Sequence, residues 1–284
     1  RHALNRNTRR GSRRNIAAHY DLGNDFYRLW LDPGMMYSSA IYSSPGCSLE
    51  EAQRDKLDRV IDRLGLNGGE RILEIGCGWG GLAERIIERG GSHVTGLTLS
   101  TEQLDYARQR LAARGFAEKS DLRLQDYRDV GGTYDRVVSV EMLEAVGEAY
   151  WPTFFENLRE RLNPQGAAVL QVITIDQSRF ESYRRRPEFI QRYIFPGGML
   201  PTTGILEQQI EKAGLRLVSS EFFGDSYART LAEWHARFLE AWPAISALGF
   251  DLRFKRMWEY YLAYCRLGFE IGVLNVGLYK IERQ

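Results

Sequence analysis

The segment RILEIGCGWGGLAERI, from Arg71 to Ile86, constrains the chain more than any other. A short apolar run with strand character ends among glycines, and helical spacing resumes directly after them. A buried strand that turns at once into a helix needs backbone conformations that a Cβ opposes, and glycine adopts them freely. The same bare backbone opens the N–H groups of a helix N-terminus to a ligand. The turn therefore has a structural use and a chemical one, and its surroundings decide between them.

Upstream, NIAAHYDLGNDFYRLWL places Ile16, Tyr20, Phe26, Leu29 and Trp30 at helical offsets broken by Gly23, which predicts short helices. SLEEAQRDKLDRVIDRL begins at Ser48 as an N-cap, carries acids in its first turn and sets Leu57, Val60, Ile61 and Leu64 on one face. Downstream the period changes repeatedly. RILEI reads as a strand, GLAERIIER as a helix and SHVTGL as a strand. TEQLDYARQRLAARG is a helix capped by Ser100 and ended by Gly115. DLRLQ and YDRVVSV are strands, followed by the helix AYWPTFFENLRERL and the strand GAAVLQVITI. This alternation predicts an α/β fold, a parallel sheet covered on both faces, with a ligand crevice beyond the carboxyl ends of its strands.

After Ile175 the chain turns rich in arginine, proline and aromatics, as expected of an excursion over the sheet. Helices follow near TLAEWHARFLEAW and RFKRMWEYYLAYCRLGF, and IGVLNVGLYKIE closes the chain as a strand. Their aromatic faces serve either as core or as the wall of an apolar pocket. With 284 residues and 44% apolar content the chain is read as one domain: an arm and helices over 1–66, a core over 67–175 and a pocket-forming part over 176–284. It begins at Arg1 rather than Met, so the carboxyl-terminal part of a longer chain is an open reading.

A net charge of +1 argues against a nucleic-acid coat. The exception is the opening arm, where Arg1, Arg6, Arg9, Arg10, Arg13 and Arg14 stand without an acid among them; it is read as a solvated arm, with an anionic surface as the alternative partner. Cys47, Cys77 and Cys265 have neither disulfide-framework nor metal-ligand spacing, so no metal is expected and a reducing cytosol fits best. No apolar run reaches membrane-spanning length, so any membrane role would be peripheral.

Gly76, Gly78 and Gly81 formally fit a dinucleotide fingerprint, G-x-G-x-x-G. Glu74, at the end of the strand, instead favours an ammonium group over a pyrophosphate, which points to the amino-acid end of S-adenosylmethionine. The blocks AAHYDLGNDFYRLWLDPGMMYSSAIY, LEIGCGWGG, VTGLTLSTEQ, LQDYRD, VVSVEMLEAVG, FIQRYIFPGGMLP, SYARTLAEWHARFLEAWP and RMWEYYLAYCRLGF, in this order, resemble the cyclopropane fatty acid synthase family of class I S-adenosylmethionine-dependent methyltransferases. The resemblance implies a Rossmann-like sheet with helices on both faces, a helical lid at the amino terminus and helical insertions that form an acyl-chain pocket. It implies a cofactor cradle of Tyr37 and Ser38, with Gly76, Gly78 and Gly80 under the methionine moiety. Thr98 and Gln103 would face the ribose, with Leu99 in the same cofactor-binding set, and Asp126 and Tyr127 would flank the adenine.

The reaction so implied adds a methyl group to a cis double bond of an unsaturated phospholipid acyl chain at the inner face of the membrane. An alkene is a poor nucleophile, so the pocket must be dry and must shelter a cation. The resemblance places Glu144, Ile173 and Tyr227 at bicarbonate-binding positions, bicarbonate being the expected proton acceptor. Ser39 stands where the family has Cys and Gln171 where it has His; Ala145 replaces a common His. Gln171 donates a hydrogen bond but never carries a positive charge, so it should hold an anion less firmly. Two products stay open, a cyclopropane formed with bicarbonate and a methyl-branched or methylene chain, the latter favoured. Tyr20 is the remaining candidate for the site; His19 and His235 are read as structural. The alternatives are an amine N-methyltransferase on a small molecule and a lipid-binding module without catalysis. A homo-oligomer is left open.

Overall fold

The computed structural model describes residues 22–186 and 188–284 together with 8, 11 and 12; the arginines of the opening arm, His19 and Tyr20 lie outside the described residues. The alternating periods become β1 (Arg71–Ile75), β2 (His93–Thr98), β3 (Ser120–Leu124), β4 (Tyr134–Val140), β5 (Leu162–Ile175), β6 (Leu215–Phe222) and β7 (Leu274–Arg283). They form one sheet in the order β3-β2-β1-β4-β5-β7-β6. β1 to β5 are parallel, and chain order reverses at β1, between β2 and β4. That is where the crevice of such a sheet opens.

The sheet is mixed rather than wholly parallel. β7 enters between β5 and β6 and runs antiparallel to both. β6 escapes the pattern reading because its exposed residues carry no apolar alternation; at a sheet edge only one side is paired and little needs burying. β7, the closing strand expected from the sequence, has five buried positions, with Val276, Leu278, Tyr279 and Ile281 fully covered.

Both faces are buried, as a parallel sheet requires. One is covered by the helices Leu49–Leu64, Gly81–Gly90 and Thr101–Ala113, packed through residues such as Val60, Ile86 and Leu111. The other is covered by Trp151–Arg161 and Thr203–Lys212 through Phe154, Phe155 and Ile210. The first of these helices starts as expected: the Ser48 side chain accepts from Glu51 N–H while the Glu51 carboxylate accepts from Ser48 N–H, a capping box. A third apolar cluster joins the helix Asn24–Arg28 to Gly224–Glu240 and Leu252–Glu270, with Phe26, Trp30, Trp234, Phe238 and Trp258 wholly buried or nearly so. Those rings meet mostly edge to face, for example Trp30 against Trp234 at 5.8 Å. The aromatic helices thus pack on the amino-terminal segment as well as on the sheet, where Val276 of β7 joins the same cluster.

Gly80 shows why the turn after β1 needs glycine. It caps the helix Gly81–Gly90 at φ +81°, and a Cβ there would stand 3.0 Å from Ala107 Cβ. Gly80→Ala should cost about 1–3 kcal/mol of stability in urea unfolding. Gly131→Ala, where a Cβ meets nothing within 4 Å, should stay within about 0.5 kcal/mol of the parent.

Candidate active site

A cavity of about 510 Å³ lies across the carboxyl ends of the parallel strands. The strand order arranges its polar wall: Asp126 and Tyr127 follow β3, Thr98 and Leu99 end β2, Gly76 and Gly78 follow β1, Glu141 and Glu144 follow β4, and Ile173 lies in β5. Helical segments supply an apolar wall that includes Ile190, Phe195, Leu231, Tyr261, Phe269 and Ile271. Tyr37, Gln103, Ala145 and Tyr227 also line the space.

Of the residues expected to hold the cofactor, Tyr37, Gly76, Gly78, Thr98, Leu99, Gln103, Asp126 and Tyr127 line the cavity. At Gly78, φ +51°, a Cβ would meet nothing within 4 Å, so bare backbone fronts open space. This is the cradle that an S-adenosylmethionine site needs, and the residues present fit that cofactor. The Thr98 hydroxyl donates to Gln103 Oε1 at 2.8 Å, fixing both side chains at the β2 end. The Asp126 carboxylate accepts from Arg128 Nε at 2.8 Å and Nη2 at 2.6 Å, so Arg128 holds the acid that was expected to meet the adenine. The Tyr37 hydroxyl shares a 2.9 Å hydrogen bond with Tyr261, which ties the amino-terminal segment to the last long helix.

Ser38, Glu74 and Gly80 are not among the lining residues. Ser38 Oγ instead accepts from Lys56 Nζ at 2.7 Å. Glu74 alternates with Leu73 and Ile75 along β1 and is buried, one carboxylate oxygen having no hydrogen-bond partner. Burial pushes its carboxyl up to about 8, against the pull of Lys56. Burial likewise pushes Lys56 down to about 8, against Glu141, Asp32 and Glu74. Glu74 is therefore buried in a charge cluster with Lys56 and is not among the residues that line the cavity. Lys56 escaped the sequence reading, although a lysine adjoining Leu57 on a helix face that buries Val60 was its signal.

The residue that sequence reasoning missed is Glu141. It follows β4 at φ +49°, one of two described non-glycine residues with positive φ. Its Oε1 accepts from Ser39 N–H at 2.8 Å and from Gln171 Nε2 at 2.8 Å, and its Oε2 accepts from the Tyr227 hydroxyl at 2.7 Å. Ser39 and Gln171 are buried and reach the cavity only through it. Burial raises the Glu141 carboxyl while these donors and Lys56 oppose the rise. The visible signal was the second acid in VVSVEMLEAVG, three residues before the one chosen.

Glu144 is where it was expected, at the cavity wall, but in a different state. Its Oε1 accepts from Ile173 N–H at 2.6 Å, and its Oε2 has no hydrogen-bond partner. Burial, then the neighbouring Glu141 charge, pushes its carboxyl up to about 8, so at neutral pH it keeps its proton. The folded state holds that proton where an unfolded carboxyl has lost it. Stability should therefore fall as pH rises between about 4.5 and about 8 and then level off. Thermal unfolding of Glu144→Gln across that window should show a shallower slope than the parent.

Residues 7–278 match the family model described as mycolic acid cyclopropane synthetase. The chain is 44% identical over 281 residues to the tuberculostearic acid methyltransferase UfaA1 of Mycobacterium tuberculosis, covering 96% of this chain and 66% of that one. It is 40% identical over 249 residues to the cyclopropane-fatty-acyl-phospholipid synthase of Escherichia coli K12, covering 87% and 62%. It thus spans about two thirds of the length of these curated relatives. The structure superposes on the mycolic acid cyclopropane synthase CmaA1 complexed with SAH and CTAB at a TM-score of 0.89 and 29% identity, covering 95% of this chain and 98% of that one. With a class I methyltransferase fold and S-adenosylmethionine as its cofactor, the chain belongs to the mycolic acid cyclopropane synthetase family.

Proposed function

We propose that the chain methylates a cis double bond in an unsaturated phospholipid acyl chain, at the inner face of the membrane, and acts as a single catalytic domain. The observation that carries the reading is one cavity whose walls pass from the glycine turn and two carboxyl groups to Ile190, Phe195, Leu231 and Phe269. Bound S-adenosylmethionine supplies an electrophilic methyl group. The side chains around Gly76, Gly78, Thr98, Gln103 and Tyr127 would hold it, and the apolar wall would keep water from the alkene and from the positive charge that follows. Tyr37, Tyr227 and Tyr261 present aromatic rings to that charge.

The lipid surface is supported by the cavity rim. Ile271 lines the cavity and is 62% exposed. Tyr260, Leu267 and Ile271 lie along one exposed face of the last long helix, and Tyr193 stands beside Phe189, whose ring meets Tyr260 at 4.6 Å. No described helix is long and apolar enough to cross a membrane. Cys47, Cys77 and Cys265 are free, as in a reducing compartment. The amine N-methyltransferase reading has less behind it, because no His among the described residues lines the cavity.

A methyl-branched or methylene product is preferred to a cyclopropane. Gln171 donates to Glu141 and carries no charge of its own, and the 44% identical relative is named a methyltransferase rather than a cyclopropane synthase.

Lipids from cells expressing the chain and fed methyl-labelled methionine should gain the mass of one labelled CH2 per acyl chain and remain cleavable by ozone. An ozone-resistant product would establish the ring instead, and no labelled lipid would end the proposal. Glu144→Leu, which removes the acceptor of Ile173 N–H, should lower turnover at least about tenfold with affinity for S-adenosylhomocysteine unchanged. Calorimetry alongside the turnover assay separates the two effects.

A further inference from the structure

The carboxylate of Glu141 occupies a seat that a free anion would otherwise need. Three donors from distant parts of the chain converge on it: the Ser39 backbone, the Gln171 amide and the Tyr227 hydroxyl. Ser39, Gln171 and Tyr227 are also among the residues, with Glu144 and Ile173, expected from the sequence to hold bicarbonate. With these donors engaged, a second anion among them would stand against a carboxylate of its own sign in a buried site. The residues present do not fit bicarbonate.

Resting on the lipid-methylating reading above, we propose that Glu141 itself is the catalytic base, a built-in carboxylate that makes the reaction independent of bicarbonate. A carboxylate offers about four acceptor positions. Oε1 has two donors and Oε2 one, which leaves an acceptor position on Oε2, and Glu141 lines the cavity. The alkene π pair bonds to the methyl carbon and leaves a positive charge on the other alkene carbon. A neighbouring C–H bond then breaks. Its electron pair becomes a carbon–carbon π bond to the cationic carbon, its proton goes to Oε2, and the carboxylate becomes a neutral acid as the positive charge is lost. The proton returns to water when the product leaves.

Four further observations agree. Positive φ at a non-glycine residue costs free energy, and the fold retains it where it aims this side chain. Burial raises the carboxyl, which makes the anion a stronger proton acceptor once formed. The adjacent Glu144 keeps its own proton and so does not compete as a base. Tyr227, raised well above its ordinary range by burial and by Glu141, stays a donor.

The test uses the intact chain, labelled S-adenosylmethionine and vesicles of dioleoyl phosphatidylglycerol. Parent turnover should be equal in buffer freed of carbon dioxide and in buffer with added bicarbonate. Glu141→Gly, which suits the positive φ, should lose at least about a hundredfold, and added formate or bicarbonate should restore at least about tenfold. Glu141→Gln, whose amide still fills the seat, should be as slow and should not respond. A bicarbonate-dependent parent, or a Glu141→Gly variant with parental turnover, overturns the proposal. Carbon-13 NMR of labelled formate gives an arm that needs no lipid: Glu141→Gly should bind it and the parent should not. If the parent methylates no lipid, the lipid reading has failed, and formate binding alone decides whether Glu141 fills an anion seat; no binding to Glu141→Gly overturns it.

Discussion

A buried carboxylate shared by three segments holds the working end of this molecule together. Glu141 leaves the tip of β4 and takes its donors from residue 39, from β5 and from the helix Gly224–Glu240, at separations of 102, 30 and 86 residues along the chain. A charge removed from water requires such partners, because each unmet hydrogen bond at a buried ion is costly. The amino-terminal segment and the helical cap must therefore close on the sheet together. Tyr37 and Tyr261 fasten the same two parts a second time.

Closure creates the setting that the chemistry needs. The aromatic cluster around Phe26, Trp30, Trp234 and Trp258 gives the cap a core of its own, so the cap stands over the crevice without filling it. Between cap and sheet lies the cavity, apolar along its helical wall and polar where the strands end. Burial shifts Lys56, Glu74 and Glu141, and Lys56 opposes the rise of both acids as they oppose its fall. Low polarity strengthens every such interaction, so both Glu141 and Glu144 are pushed up, Glu141 against the pull of its three donors.

The same closure bears on the difference between this chain and a site designed around a soluble anion. An anion drawn from solution must be collected and desolvated in every cycle, whereas a side chain is positioned once, on folding. Here Ser39 contributes only its backbone N–H to that position, so the exchange of Cys for Ser at 39 leaves the hydrogen bond intact. Gln171 donates an amide hydrogen bond, which a carboxylate already fixed by covalent attachment can use without a positive charge beside it.

Much of the fold was legible in the residues. The glycine turn, the Ser48 and Ser100 caps and the alternating periods located β1 to β5 and their helices, because local sterics and burial on both faces write directly into composition. Motif order carried the family and the cavity positions of Gly76, Thr98, Asp126, Glu144 and Tyr227. What only the tertiary structure decided was direction and partnership: β7 inserted antiparallel, β6 on an exposed edge, Ser38 turned to Lys56, Glu74 buried off the cavity wall, and Glu141 placed among donors from three segments. Sequence spacing sets which residues end a strand. Where a side chain of such a residue points, and whether it keeps its proton, depends on neighbours far along the chain and on how completely they exclude water.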